Sequence, residues 1–334
     1  MPEVFQIPRE SLTSLKDKVV LITGSTSGIG LATVSLALSL GAKVIAGDIN
    51  PSPAEKDQQH PPPHFLFVQT DVSNWASLRN LFETGYRHFG RIDHVFANAG
   101  VGQGSRNFLT EEFEDVDADA DASASANANG KADGEGQSLL AAPDLRVLNV
   151  NLIGAMYTVR LGVHFLRRSI AASSRTEEEE GEGEGEGTDA GPSIVLTASS
   201  SPFQDFSVGD YTIAKHGVLG ILRGVGKLLS VESGTKKRVR LNAVAPSWTA
   251  TGIIPRDLLA AMGIPVQEAE VVARSAVKLF VDGERDGELV YSWDGKFCEI
   301  NKAAGGLLDG VKEALPNPIV EQDVVSEMIR RMAQ

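Results

Sequence analysis

The stretch Lys18-Val19-Val20-Leu21-Ile22-Thr23-Gly24-Ser25-Thr26-Ser27-Gly28-Ile29-Gly30 decides how the rest of the chain is read. Lys18 to Ile22 reads as a short strand. A continuous apolar run of this length, without polar alternation, marks a strand covered on both faces. The glycine-rich turn leads into an apolar helical run, Leu31 to Leu40, ended by Gly41. Strand, turn and helix start together make an anion site: backbone N–H groups and the positive helix end face a phosphate, and the missing Cβ atoms let it approach. An ordinary strand-to-helix turn is the alternative, and glycines at 24, 28 and 30 in this setting weigh against it.

Working outward, Lys43 to Gly47 reads as a second strand ending in Asp48. A carboxylate there can accept hydrogen bonds from an adenosine ribose and would repel the 2′-phosphate of NADP. No Arg or Lys lies inside the turn or directly after Asp48, so the residues point to NAD, with a turn or cap aspartate as the alternative. Pro51 to Pro63 is a proline-rich polar loop, Phe65 to Gln69 a third strand, and Asp71-Val72-Ser73 leads into a helix from about Asn74 to Phe89. A fourth strand, His94 to Ala97, ends in Asn98-Ala99-Gly100. A helical segment from Leu145 to Ile170 contains Asn149, Asn151 and Gly154. The fifth strand, Ile194 to Ala198, runs into Ser199-Ser200-Ser201-Pro202, and the sixth, Val239 to Ala245, ends at Pro246. Strands alternating with helices predict an α/β fold: a Rossmann-type doubly wound parallel sheet with helices on both faces, in a single domain of 334 residues.

Charge is unevenly placed. Glu111 to Gln137 holds nine acids and one base, and Ala171 to Pro192 eight acids and one base. These two stretches carry more than the whole net charge of −13, and the remainder is close to neutral, without the basic patch that nucleic-acid binding needs. Both are low in complexity and are expected to be disordered, solvated insertions (about 111–138 and 171–192) in a core spanning about 16–295. A C-terminal extension, about 296–334, contains an amphipathic stretch from Ile319 to Met332. No apolar run approaches the roughly 18 residues of a membrane span, and Met1 to Lys18 lacks the order of a signal peptide. A soluble, cytoplasmic protein is expected. The single cysteine, Cys298, excludes an internal disulfide and reads as a small buried residue. His60, His64, His88, His94, His164 and His216 are scattered without metal-ligand spacing and read as surface or packing residues, so no metal is expected.

Tyr211-Thr212-Ile213-Ala214-Lys215 places a phenol and an ammonium four positions apart, on one face if helical. A phenol with a pKa of about 10 is a poor base near neutrality, and a fixed cation favours its phenolate. Taken alone the pair is a weak signal.

The ordered set of motifs resembles the short-chain dehydrogenases/reductases. It comprises Thr23-Gly24-x-x-x-Gly28-Ile29-Gly30, Asp48, Asp71-Val72, Asn98-Ala99-Gly100, Asn151, Ser199, Tyr211-x-x-x-Lys215 and Asn242-Ala243-Val244-Ala245-Pro246. The resemblance covers roughly Lys16 to Tyr291 without the insertions. It implies that Tyr211 is the general acid/base, that Lys215 holds the nicotinamide ribose and lowers the tyrosine pKa, that Ser199 hydrogen-bonds the substrate oxygen, and that Asn151 anchors a water relay. It further implies that Gly24, Ser27, Gly28, Ile29 and Gly30 line the pyrophosphate, Asp48 the ribose, and Asp71 and Val72 the adenine. Asn98, Ala99 and Gly100 would lie under the cofactor, and Pro246, Thr249 and Thr251 would meet the nicotinamide end. A homodimer or homotetramer through the Asn151 and Tyr211 helices is also implied.

Two departures stand out. Ser199 precedes Tyr211 by one residue fewer than is usual in the family, and Ser247 stands where glycine is usual after the proline. The Pro-Ser-Trp-Thr sequence and the extended C-terminal region resemble fungal members tied to secondary metabolism. In this fold the segment Trp248 to Met262, with Ile253, Ile254, Leu258 and Leu259, covers the substrate. An apolar lining predicts a hydrophobic alcohol or ketone, and a packed helix is the alternative. The expected activity is NAD-dependent hydride transfer at a secondary hydroxyl. An NADPH-dependent ketone reductase of a biosynthetic pathway and a non-catalytic nucleotide-binding protein are the competing readings.

Overall fold

The computed structural model describes residues 1–51, 64–104, 106–110, 113–115, 138–180, 190–231, 238–252 and 256–315, together with Val325, Met328 and Arg331; the side chains of 113–115, 138–139, 174–180, 230–231 and 258 fall outside the description. Eleven strands are described. They are β1 (Val4–Phe5), β2 (Val19–Thr23), β3 (Lys43–Asp48), β4 (Phe65–Gln69), β5 (His94–Ala97), β6 (Phe113–Asp115), β7 (Ser138–Leu140), β8 (Ser193–Thr197), β9 (Arg240–Pro246), β10 (Leu289–Trp293) and β11 (Lys296–Glu299). The helices are α1 (Gly28–Ser39), α2 (Trp75–Phe89), α3 (Gly154–Glu180), α4 (Gly209–Val231), α5 (Arg256–Ala261), α6 (Ala269–Val281) and α7 (Leu307–Ala314).

Nine strands form one sheet in the order β1-β11-β10-β9-β8-β5-β2-β3-β4. From β10 to β4 all neighbours are parallel, while β11 pairs antiparallel with β10 and β1 antiparallel with β11. The expected doubly wound α/β fold is what the chain adopts. After β2 the chain winds outward through β3 and β4, then returns to place β5 on the other side of β2. That reversal opens a crevice beyond the carboxyl ends of β2 and β5, where open α/β sheets bind ligands.

The central strand sequences are mostly apolar because each face meets a helical layer. Leu21, Val95, Ile194 and Leu241 pack into one cluster with α2, α3 and α4. Their neighbours Val20, Phe96, Val195 and Val244 point the other way, toward α1 and α6. Burial at successive positions is the signature of a two-sided parallel sheet. Local chemistry sets the helix ends: Asn74 Oδ1 accepts from Ser77 N at 3.0 Å to start α2, and Gly90, at φ 76°, closes it in the left-handed region that glycine reaches without strain.

The structure narrows the two acidic stretches. Phe113–Asp115, inside the first, is a strand whose Phe113 pairs with Leu140 and whose Asp115 pairs with Ser138. In the second stretch α3 continues to Glu180, because Ala171, Ala172, Arg175 and the glutamates to Glu180 favour helix and the glycines begin only at 181. Residues 116–137 and 181–189 lie outside the described residues, as do Pro51–Pro63 beyond its first residue and most of Ile319–Met332. Val325, Met328 and Arg331 are helical and exposed. The start of the C-terminal extension is sheet: Cys298 is buried in β11, and its thiol is pushed up by that burial. Among the described residues no helix is long and apolar enough to cross a membrane. Buried His94 bonds Ser193 Oγ at 2.9 Å and stacks on Phe280, a packing role, whereas His64, His88, His164 and His216 are exposed. His60 is outside the described residues.

One buried cation holds the end of the sheet. Arg240 is 2% exposed and donates to the carbonyls of Ala190 (3.0 Å), Leu279 (2.9 Å), Phe280 (2.7 Å) and Arg285 (2.8 Å). Leu279 and Phe280 belong to the last turn of α6, whose carbonyls lack amide partners and carry the negative helix end. Replacing the planar fork by an apolar side chain would strand several buried acceptors, each costing about 1–3 kcal/mol. Arg240→Met should therefore lose about 3 kcal/mol or more of unfolding free energy in urea, and a loss below about 1 kcal/mol would show that these bonds contribute little.

Candidate active site

The site is built at the crevice from the carboxyl ends of β2, β5, β8 and β9. On the β2 side, the turn from Gly24 to Gly30 is shaped by contacts that no side chain could survive. A Cβ on Gly30 would fall 1.9 Å from Gly24 O, and one on Gly24 2.7 Å from Ala99 Cα. Gly24 and Gly28 also have positive φ, 67° and 51°. Helix α1 begins at Gly28 with no side-chain cap from Ser27 and no acid in its first turn. A helix start without a resident anion or capping oxygen leaves backbone donors for a bound anion. Ser25 Oγ, buried in the same turn, has no hydrogen-bond partner. The residues present fit a dinucleotide phosphate.

Asp48, 7% exposed, closes the next strand. Its Oδ2 accepts from Thr26 N at 3.0 Å and its Oδ1 from Asn50 N at 2.9 Å, so the carboxylate is oriented at the mouth of the glycine turn. Asp71 Oδ1 accepts from Ser73 N (2.9 Å) and Ser73 Oγ (2.7 Å), an arrangement that turns the chain toward α2. Val72 is buried, and a Cβ on Gly154 would lie 2.8 Å from its Cγ2. The structure thus places the Val72 side chain in the core beneath the crevice.

Asn98 joins three strand ends. Its Nδ2 donates to Thr23 O (3.0 Å) and Gly24 O (3.2 Å), and its Oδ1 accepts from Thr197 Oγ1 (3.2 Å). Thr23 Oγ1 accepts from the backbone N–H groups of Asn98 and Ala99. Gly100 lies against Asn151, where an added Cβ would be 3.2 Å from Asn151 Oδ1. Asn151 is 2% exposed and sits in a π-helical turn, Asn149–Ile153, between a short helical turn at Arg146–Leu148 and α3. Both ends of its amide are engaged by one backbone unit: Val101 N donates to Oδ1 at 2.8 Å and Nδ2 donates to Val101 O at 2.9 Å. Single π turns of this kind recur at functional sites.

The proton-transfer candidates meet beyond β8. Ser199, 8% exposed, lies close enough to the Tyr211 phenol for its hydroxyl to pull the phenol's pKa down, and its Oγ accepts from Ser201 N at 3.2 Å. A short 3-10 turn at Ser201–Phe203 lies between Ser199 and Tyr211. Lys215, 4% exposed, donates from Nζ to Thr197 O at 2.7 Å and lies 5.5 Å from the centre of the Tyr211 ring. The resemblance implies a lowered tyrosine pKa, but here burial raises it, with the Ser199 hydrogen bond pulling the other way. Lys215 is itself held down at about 8 by burial. Desolvation disfavours the charged form of both groups, and the ammonium is turned to a carbonyl.

The loop after β9 crosses to the cofactor side. Ser247 takes no left-handed conformation, Asp17 and Asp294 being the described non-glycine residues with positive φ, so the Pro246-Ser247 turn carries no such strain. Thr249 Oγ1 donates to Ser247 O at 2.7 Å. The Thr251 side chain stands over the start of α1, 3.1 Å from a Cβ built on Gly28. Gln267 straps this loop: its backbone pairs with Trp248 and Ala250, and its Nε2 donates to Thr249 Oγ1 at 3.0 Å. Trp248 stacks on Phe206 with ring centres 6.1 Å apart. Of the apolar residues expected over the substrate, Leu259 is buried, while Ile253, Ile254 and the Leu258 side chain lie outside the described residues. An open cavity of about 530 Å³ beside α4 is lined by Phe206, Ser207, Val208, Gly209, Thr212, Ile213 and His216; Tyr211, Ser199 and Lys215 do not line it.

Of the residues singled out from sequence, Ser199, Tyr211 and Lys215 come together, and Asn98 and Asn151 bracket the loop between them and the glycine turn. Thr197, Gln103 and Gln267 were not singled out. Thr197 could have been found as the one polar residue in the expected strand Ile194 to Ala198; the two glutamines sit in loops with no local signal.

A family model described as short chain dehydrogenase matches residues 18–173. Short-chain dehydrogenase/reductase ascJ of Acremonium egyptiacum is 34% identical over 324 residues, covering 96% of this chain and 94% of the relative. The 5'-hydroxyaverantin dehydrogenase of Dothistroma septosporum is 27% identical, with 88% of this chain and 84% of that protein aligned. Among solved structures, a 3-ketoacyl-(acyl-carrier-protein) reductase from Brucella melitensis complexed with NADH superposes with a TM-score of 0.58 at 19% identity, covering 83% of this chain and 97% of that one, a likeness of fold. With a relative of 34% identity aligned along nearly its whole length, this chain belongs to the short-chain dehydrogenase/reductase family, of the fungal secondary-metabolism type.

Proposed function

We propose that the protein exchanges a hydride between NAD and a secondary alcohol or ketone of a hydrophobic small molecule, with Tyr211 as general acid/base. The observation that carries this is the meeting of Tyr211, Ser199 and Lys215 at the crevice that the glycine turn opens onto. A bound nicotinamide would supply the hydride acceptor or donor. Tyr211 exchanges a proton with the substrate oxygen, and the Ser199 hydroxyl donates a hydrogen bond to that oxygen as its charge develops. Lys215 carries the cation beside the phenol. The Asn151 amide is committed to Val101, so a water relay at this position would start from the backbone of the π turn. The Phe206–Trp248 stack, with Trp248 37% exposed beside the Thr249 loop, supports a lipophilic substrate.

The cofactor preference follows from Asp48. A 2′-phosphate beside this oriented carboxylate meets like charge, which costs several kcal/mol. Turnover of a panel of hydrophobic secondary alcohols, such as 1-tetralol and 1-indanol, should give kcat/KM at least about 100-fold higher with NAD than with NADP, and Asp48→Asn should narrow the gap. A preference for NADP would overturn the assignment.

Tyr211→Phe removes the exchangeable proton and leaves the ring in place. Its kcat should fall by about 10²- to 10⁴-fold with NAD binding unchanged, and unaltered turnover would take Tyr211 out of the mechanism.

Lys215 makes a separate prediction about pH. Its folded pKa of about 8 lies below the ordinary 10.5, so between these values the unfolded chain binds more protons and stability rises with pH. The full gain is roughly 3 kcal/mol. Relative to Lys215→Met, which lacks this titration, the wild-type urea unfolding free energy should grow by about that amount from pH 8 to 10.5; a constant difference would mean the ammonium is not desolvated.

A further inference from the structure

The first turn of α4 carries Tyr211, and its backbone donors have no partner within their own helix. Thr212 N reaches back to Val208 O at 2.8 Å. Tyr211 N instead donates to Gln103 Oε1, at 3.0 Å, from a loop 108 residues earlier in the chain. Gln103 is fixed in turn, with Nε2 donating to Arg106 O at 2.7 Å and to Asp210 Oδ2 at 3.4 Å. Asp210, 1% exposed, completes the clasp by accepting from Phe108 N at 3.2 Å. The same loop is anchored at its other end by the double hydrogen bond between Val101 and Asn151. Gly209 lies close under it, with a built Cβ 3.4 Å from that of Asn107.

We infer that Gln103 is a positioning residue for Tyr211: its side-chain carbonyl caps the tyrosine's own N–H and sets where the phenol stands relative to Ser199 and Lys215. This rests on Tyr211 being the acid/base. The Tyr211 side chain leaves the backbone at the very atom group that Gln103 holds, and the residue before it is locked by Asp210 to the same loop. Releasing the cap frees the first turn, and a displacement of about 1 Å at a reacting group can cost about 100-fold in rate. Cofactor contacts at the glycine turn and Asp48 lie on other elements and are untouched.

The test compares Gln103→Leu, which keeps bulk and loses the acceptor, with Gln103→Asn, which withdraws it by one methylene. Both are assayed with NAD and the panel alcohol of highest wild-type turnover. In folded protein, kcat should fall about 10- to 100-fold while KM and Kd for NAD stay within about twofold. A kcat within twofold of wild type in both single variants, or a parallel loss of NAD affinity, overturns the inference. Tyr211→Phe run alongside separates the two levels: if it stays active the reading of the site fails and this inference with it, and if it is inactive while the Gln103 variants are unimpaired, only this inference fails.

Discussion

The molecule depends on a single side-chain amide. Asn98 uses both donors on the carbonyls of Thr23 and Gly24 and its acceptor on the Thr197 hydroxyl, so the ends of β2, β5 and β8 are held at one level. An amide with donors and acceptor both matched is expensive to remove, because its partly buried partners would be left unpaired. The same Thr197 then offers its carbonyl to Lys215. A chain of contacts thus runs from the glycine-rich turn to the tyrosine. Networks of this kind fix one arrangement more firmly than apolar packing would.

Around that frame, charge is kept scarce. Tyr211 and Lys215 are both pushed toward their neutral forms by burial, and the acids carrying most of the net charge are concentrated in two short stretches of the sequence. The dry surroundings strengthen any later interaction with a polar group that enters, since Coulomb energies rise as the effective dielectric falls. The protein therefore carries a site whose electrostatics are completed by what it binds. Arg240 shows the same economy at the other end of β9, where carbonyl dipoles surround the guanidinium.

Much of this was legible in the residues. The strand, glycine turn and helix around Gly24–Gly30 announced themselves because the steric demands there, an oxygen 1.9 Å from a would-be Cβ, exclude other side chains. Tyr211, Lys215 and Ser199 could be grouped because the ordered motifs resemble those of the short-chain dehydrogenases/reductases. What escaped was of two kinds. The strands β1, β6, β7 and β11 are two to four residues long, too short for a period to show, and three of them exist only through partners distant in sequence. Gln103 and Gln267 act through loop geometry, which a polar residue between turns does not reveal. The reach of α3 to Glu180 was hidden by its acids: composition read as solvated coil, yet glutamate is also a good helix former and the breaking glycines come later.

The pairing of β1 with β11 has a consequence in time. Val4 lies opposite Cys298 and Phe5 opposite Phe297, so the outermost strand of the sheet joins residues nearly 300 positions apart. At about 5–20 residues per second of synthesis, the first strand waits on the order of 15 to 60 seconds for its partner to be made. During that interval the parallel sheet from β2 to β9 can assemble without it. The margin of the molecule is then sealed last, by its own beginning, and until that happens Val4 and Phe5 remain available to any other strand edge nearby.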